Sequence, residues 1–160
     1  MLYLRALLAV VLLPGTVTLL VPWILLRVVD ARAGFGPFRK LGVPLIVAGA
    51  MIGLWCIWDF ARRGRGTLAA VDPPKELVRQ GLYRCVRNPM YLGVLGVLLG
   101  EAFHRGAPVL LLWAVFMGLL FNLSVFFYEE PALKRMFGEP YEAYCREVPR
   151  WIPRMSPWRS

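Results

Sequence analysis

Acidic side chains and histidine are scarce in this chain: 10 Asp and Glu and 1 His stand against 19 Lys and Arg in 160 residues, giving a formal net charge of +9. Cysteine is scarce too, with 3 residues at positions 56, 85 and 145, no CxxC pair and no Cys/His spacing of the kind that holds a metal. Neither a zinc site nor a disulfide framework is expected, and the three cysteines read as small packing residues. Charged residues make up 18% of the chain against 58% hydrophobic ones, and mean hydropathy is +0.56. That balance excludes a disordered or fibrous protein. No internal repeat or low-complexity tract is present. In a hydrophobic chain the basic excess records membrane topology and anionic headgroups, so no nucleic-acid partner is expected.

In place of charge the chain has long apolar runs. Residues 6–26, 41–58 and 107–128 form uncharged stretches of 21, 18 and 22 residues, each able to cross a hydrocarbon core of about 30 Å as a helix. A fourth segment, 89–103, is interrupted by Glu101, and its 15 residues rise only about 22 Å, a short or partly sunken span. The first run outlasts a signal-peptide core and reaches Arg27 without a small-x-small cleavage site, so it reads as an anchor, kinked at Pro14 and Pro22. The expected fold is an all-α polytopic membrane bundle of about four transmembrane segments, the third short, with a cytoplasmic amphipathic C-terminal helix. Residues 1–71 make anchor helices and a linker and 72–160 the core; the linker-like stretch is 62–74, with Gly64, Gly66, Pro73 and Pro74.

Four spans put the N-terminus, the 59–88 loop and the tail after Tyr128 on one side, with 14 Lys and Arg against 5 on the other. Both termini are therefore expected to be cytoplasmic, the protein multi-pass in the cell membrane, and its richness in alanine, arginine and leucine points to a bacterial source. Gly49 and Gly53, with Gly93, Gly96 and Gly100, form small-residue stripes suited to close helix packing.

Two polar clusters break the pattern: Gly81-Leu-Tyr-Arg-Cys-Val-Arg-Asn-Pro-Met-Tyr91 entering the third segment and Tyr128-Glu-Glu-Pro131 leaving the fourth. The short turn between those segments makes them antiparallel, so the clusters should face each other. Glu129 and Glu130 then either sit in the headgroup layer, at the N-terminal end of a new helix begun by Pro131, or line a polar cavity. Beyond them Gly138 reads as a helix cap and Pro140 as a new start, with Tyr141, Tyr144 and Val148 on one helical face. These tyrosines, with Trp151 and Trp158, are an interfacial aromatic belt or rings closing over a cationic or adenine-bearing ligand. Glu101 reads as a loop-facing or helix-pairing acid, or as a lining of the acceptor pocket if it points inward.

Gly81-x-Tyr83-x-x-x-Arg87-Asn88-Pro89-x-Tyr91-x-Gly93, then Glu129-Glu130, then Phe137-Gly138-x-x-Tyr141-x-x-Tyr144 and Val148-Pro149-x-x-x-Pro153 together resemble the isoprenylcysteine carboxyl methyltransferase family and its phospholipid-methyltransferase relatives, over about residues 72–154. The resemblance implies an integral-membrane enzyme using S-adenosyl-L-methionine. It implies that Glu76, Leu77, Val78, Tyr83, Asn88, Pro89, Met90, Tyr91, Glu129, Tyr141 and Tyr144 bind the cofactor and that Arg87, Asn88 and Glu130 are catalytic, with no metal. Asn88 stands where the family usually has histidine, and Val125 where eukaryotic members have a substrate-binding arginine. Arg84 and Arg87 can pair with the cofactor's carboxylate, an anionic acceptor or lipid headgroups.

The implied acceptor is a lipophilic small molecule, or a prenylated or lipid one. His104 falls on the opposite side from both clusters and makes a poor general base; a carboxylate acceptor needs none, whereas an amine must lose a proton. The expectation is O-methylation of a carboxylate. Phospholipid or amine N-methylation and a non-catalytic membrane scaffold of the same fold are the alternatives.

Overall fold

The computed structural model describes residues 14–29, 34–63, 77 and 79–158, and all regular structure among them is helical. Five helices follow one another: α1 (Thr16–Val28), α2 (Gly42–Arg63), α3 (Pro89–Arg105), α4 (Pro108–Phe137) and α5 (Glu139–Glu147). A 3-10 turn, Gly36–Leu41, leads into α2. Proline stands in the first turn of α3, α4 and α5, where its missing N–H costs nothing and its fixed φ already suits a helix.

The turn between α3 and α4 is two residues long. Gly106 takes a left-handed conformation (φ 63°), its N–H and that of Ala107 return to the carbonyls of α3, and Pro108 starts the next helix. The two helices are thus antiparallel neighbours, packed through Val94 and Leu98 on α3 and Ala114 and Met117 on α4. On its other side α3 meets α2 almost backbone to backbone. A Cβ on Gly49 would stand 2.5 Å from the Gly93 carbonyl oxygen, and one on Gly100 2.7 Å from that of Gly42. Close packing is what the glycine stripes provide.

Two helices, Gly36–Asp59 and Pro108–Phe137, are long and apolar enough to cross a membrane. Their outward faces carry exposed Val43, Val47, Met51 and Leu54 on one and Leu112, Val115, Leu119 and Leu123 on the other, a coat suited to lipid rather than water. The third segment, α3, has 17 residues, about 26 Å, two more than the expected 89–103 and still shorter than a hydrocarbon core of about 30 Å. Glu101 lies in the helix, 8% exposed, rather than in a loop.

A second correction concerns Pro131. It does not start a separate helix; α4 runs through it for 30 residues. The carbonyl four residues ahead of a helical proline clashes with its ring, and the strain is relieved by a π-helical turn, Val125–Glu129, in which the Glu130 N–H reaches back to the Val125 carbonyl. Glu129 and Glu130 therefore lie inside a continuous helix with no free N-terminal dipole beside them. The same device occurs in α1, where the π turn Thr16–Leu20 precedes Pro22. Because Pro22 has no N–H to offer the Val17 carbonyl, that oxygen accepts the Trp113 indole N–H (3.1 Å), which ties α1 to α4.

Candidate active site

At the end of the bundle formed by the start of α3 and the late part of α4, the two polar clusters meet as their antiparallel register requires. The Tyr91 hydroxyl donates to Glu129 Oε1, which also accepts from Ser124 Oγ at 3.2 Å; Glu129 Oε2 takes no hydrogen bond among the described residues. The Tyr91 ring stacks on Phe121 of α4 (centroids 4.4 Å apart) and lies 6.4 Å from Trp151.

Glu130 is buried between two guanidinium groups. Arg150 holds it with a two-pronged pair, Nε to Oε1 and Nη2 to Oε2, both 2.7 Å, and Arg87 Nη1 lies 2.9 Å from Oε1. This pairing raises the Arg150 pKa further above its ordinary value, first through the hydrogen bonds to Glu130. Arg87 Nη1 also donates to Cys145 Sγ (2.8 Å), while Arg87 Nε is buried with no hydrogen-bond partner among the described residues. Fully buried N–H groups are rarely left so.

Helix α5 closes the site. Tyr141 and Tyr144 turn inward with Val148, each no more than 3% exposed, against Leu77, Leu133 and Phe137; of the two readings for these tyrosines, the interfacial belt is excluded. The Tyr144 hydroxyl donates to the Tyr83 carbonyl at 2.6 Å. Burial pushes the Tyr83, Tyr141 and Tyr144 hydroxyls well above the ordinary phenol pKa, so all three remain neutral.

The chain after α5 folds back as an extended strap. Arg87 N–H donates to the Pro149 carbonyl, Arg154 N–H to Cys85 and Trp158 N–H to Arg84, and Asn88 Nδ2 donates to the Arg150 carbonyl at 3.2 Å. Arg84 Nε is bound to the Trp158 carbonyl (2.6 Å); Arg84 secures the strap and does not line the cavity.

A cavity of about 90 Å³ lies among these groups, lined by Leu77, Tyr83, Arg87, Asn88, Val125, Glu129, Glu130, Leu133, Tyr141 and Tyr144. Eight of the residues the sequence nominated are thereby brought together. Pro89 and Met90, in the first turn of α3, do not line it, and Tyr91 reaches it through Glu129. Glu76 and Val78 lie outside the described residues. The sequence reading passed over Arg150, Ser124, Leu133 and Cys145, the last of which accepts a hydrogen bond rather than merely packing. Arg150 was within reach, as the basic residue after Pro149 in the Val-Pro-x-x-x-Pro motif. His104 stands exposed at the far end of α3, where its carbonyl accepts from Arg39 Nε at 2.9 Å.

Gly81 sets the loop that carries Tyr83 and Arg87. Its φ is +60°, and a Cβ there would collide with Asp59 Oδ2, which also accepts the Trp55 indole N–H (3.1 Å). Gly81→Ala is expected to lower stability by about 1–3 kcal/mol, the sum of backbone strain and overpacking, read as an earlier thermal unfolding midpoint in detergent.

A family model described as phospholipid methyltransferase matches residues 38–140, a stretch that begins before α2 and ends in α5. No curated protein and no solved structure matches the chain.

Proposed function

The chain belongs to the phospholipid methyltransferase family, and from that premise we propose that it takes a methyl group from S-adenosylmethionine and passes it to a lipophilic carboxylate at the cytoplasmic face of the membrane. In this reading α1 to α4 cross the bilayer, both termini are cytoplasmic, and residues 72–160 carry the machinery. The observation that carries it is the Tyr91–Glu129 bond, which joins two adjacent helices beside a cavity lined by Arg87, whose buried Nε–H has no partner among the described residues.

The donor set suits such a cofactor. Arg87 Nε fits a carboxylate, Glu129 Oε2 fits a ribose hydroxyl or an ammonium, and Leu77, Leu133 and the Tyr141 and Tyr144 rings fit a flat base. An enclosed volume of about 90 Å³ is below the range of about 300–1,000 Å³ usual for such ligands, so binding entails displacement of a wall. When bound, S-adenosylmethionine supplies a methyl group already activated on a cationic sulfur. The protein's task is then alignment. Glu130 has both oxygens engaged by arginines and acts as a positioning residue for Arg87. A carboxylate acceptor is already nucleophilic and asks no side chain to remove its proton.

A second reading, N-methylation of a lipid amine, is favoured by one observation: Glu129 Oε2 is an unengaged carboxylate oxygen that can take the amine's proton. Equilibrium binding of S-adenosylmethionine to the purified chain tests the site. Wild type is expected to bind, and Glu129→Gln and Tyr91→Ala to weaken binding about 10–100-fold, the loss of one charge-assisted hydrogen bond. Absence of wild-type binding would leave the scaffold reading standing; unchanged binding in both variants rejects this placement. Transfer of a labelled methyl group in membrane extracts then separates the two acceptors, since an ester product is base-labile and a methylated amine is not.

A further inference from the structure

The two most exposed large apolar side chains among the described residues belong to the strap and not to a helix: Ile152 is 79% exposed and Met155 fully so. Their outward direction is set by what turns inward between them. The Trp151 indole is held by Asn122, the Arg154 guanidinium by the Glu147 carbonyl, and the backbone N–H groups of Arg154 and Trp158 by the Cys85 and Arg84 carbonyls. With 151, 154 and 158 facing the protein, 152 and 155 face away from it.

Depth decides what they meet. The Trp151 indole N–H donates to Asn122 Oδ1 at 2.9 Å, and Asn122 precedes Glu129 by seven residues, about 10 Å further into the apolar run of α4. An indole is shorter than that, so the strap backbone at residue 151 lies on the bilayer side of the two carboxylates. Arg150 gives the same level, its guanidinium 5.5 Å from the centroid of the Phe126 ring. Leu123, Phe126 and Phe127 beside this contact are exposed and continue the outward apolar face of α4, so the strap joins a surface already suited to lipid. A tryptophan with its N–H satisfied and its body apolar is at home where headgroups give way to acyl chains.

Charge does not account for this placement. Arg150 is engaged by Glu130, and Arg154 Nη1 donates to the Glu147 carbonyl at 2.7 Å, close to the Glu147 carboxylate. What the strap turns outward at Ile152 and Met155 is apolar.

We propose that the strap is a bilayer-docking surface: Ile152 and Met155 seat in the headgroup–acyl boundary of the lipid around α4, and this seating keeps the strap closed over the cleft, with Arg87 on the Pro149 carbonyl and Asn88 on that of Arg150. Apolar side chains immersed to that depth hold an interfacial segment in place by the area they withdraw from water. The docking stands on the fold alone. Its consequence for the cofactor rests on the function proposed above, in which a wall of the cleft must be displaced, and the strap is that wall.

The test uses the purified full chain in phosphatidylcholine nanodiscs, with a photoreactive benzophenone side chain in place of Ile152 or of Met155. Illumination is expected to attach labelled lipid at both positions; attachment to a second copy of the chain, or to nothing, overturns the docking. Amide hydrogen exchange reads the coupling. In Ile152→Ser/Met155→Ser the Arg154 and Trp158 amides are expected to exchange about tenfold faster than in wild type, while those of Leu98 and Met117 in the helix core stay as slow. Unchanged strap exchange, or equal acceleration of strap and core, overturns it, as does faster strap exchange of wild type at high salt, which screens charge and leaves an apolar seat intact. Dissociation of bound S-adenosylmethionine should be about tenfold faster in the double variant, and an equal rate there removes the strap as the moving wall. Failure of the cleft reading alone shows differently: wild type binds no cofactor, yet lipid attachment and strap protection persist.

Discussion

Glu130→Ala is expected to cost about 3–5 kcal/mol of stability, because it leaves Arg87 and Arg150 facing each other across the space the carboxylate held. The side chain of Glu130 is only 12% exposed and that of Arg87 13%, so water cannot fully replace the lost partner. The strap is affected as well, since the Arg150 carbonyl is the acceptor for Asn88. Thermal unfolding in detergent measures the loss, and the double variant Glu130→Ala/Arg150→Met should recover part of it by removing one of the stranded cations. Recovery of none would mean that Arg150 contributes to the fold in some way other than through Glu130. Glu130→Gln, which keeps shape and one acceptor, should fall between wild type and alanine.

Gly49→Val is expected to be at least as damaging to the α2–α3 contact. A Cβ on Gly49 meets backbone on two sides, the Gly93 carbonyl oxygen at 2.5 Å and the Val97 nitrogen at 2.7 Å, and neither can swing aside as a side-chain tip would. Overpacking of this kind costs about 1–3 kcal/mol where side chains can give; here the helices themselves must separate, so the upper end or beyond is expected. The effect should reach the cleft, because α2 bears the Asp59 on which the Gly81 loop rests. Gly53, on the same stripe, has nothing within 4 Å of its would-be Cβ among the described residues, and Gly53→Ala should leave the stability within about 0.5 kcal/mol of wild type. Equal losses at both positions would show that the α2–α3 contact at Gly49 does not govern the stripe.

The facing of the two clusters was legible in the sequence because it follows from local arithmetic: a short turn, opposed directions and similar distances from that turn. Glycine packing was legible for a similar reason, since small residues at i and i+4 occupy one helix face. Pro131 misled because the ordinary rule for proline, first turn of a helix, served correctly at Pro89, Pro108 and Pro140. Continuing through a proline needs a widened turn ahead of it, and neither Val125 nor Phe126 carries a sign of that in its side chain. Glu101 misled because one charge near the end of an apolar run reads as the approach of a loop, whereas the helix continues through it to Arg105. Arg150 went unassigned because its partner lies 20 residues earlier, and a chain returning in extended form has no periodicity to announce where it lands. The belt reading of Tyr141 and Tyr144 failed because spacing gives a face but not which way that face looks.

The wide turn at Val125–Glu129 holds one residue more than an ordinary helix needs to cover the same rise. Each residue of an α-helix advances the side-chain direction by about 100°, so regularising the turn with every residue kept would swing Glu130, Leu133 and everything attached beyond them about a quarter-turn round the axis, whereas excising a single amino acid there would let the helix regularise and leave them facing as they do. Relatives without a proline at position 131 are accordingly expected to align with this chain only across a one-residue gap in that segment, and relatives that keep the proline to align without one.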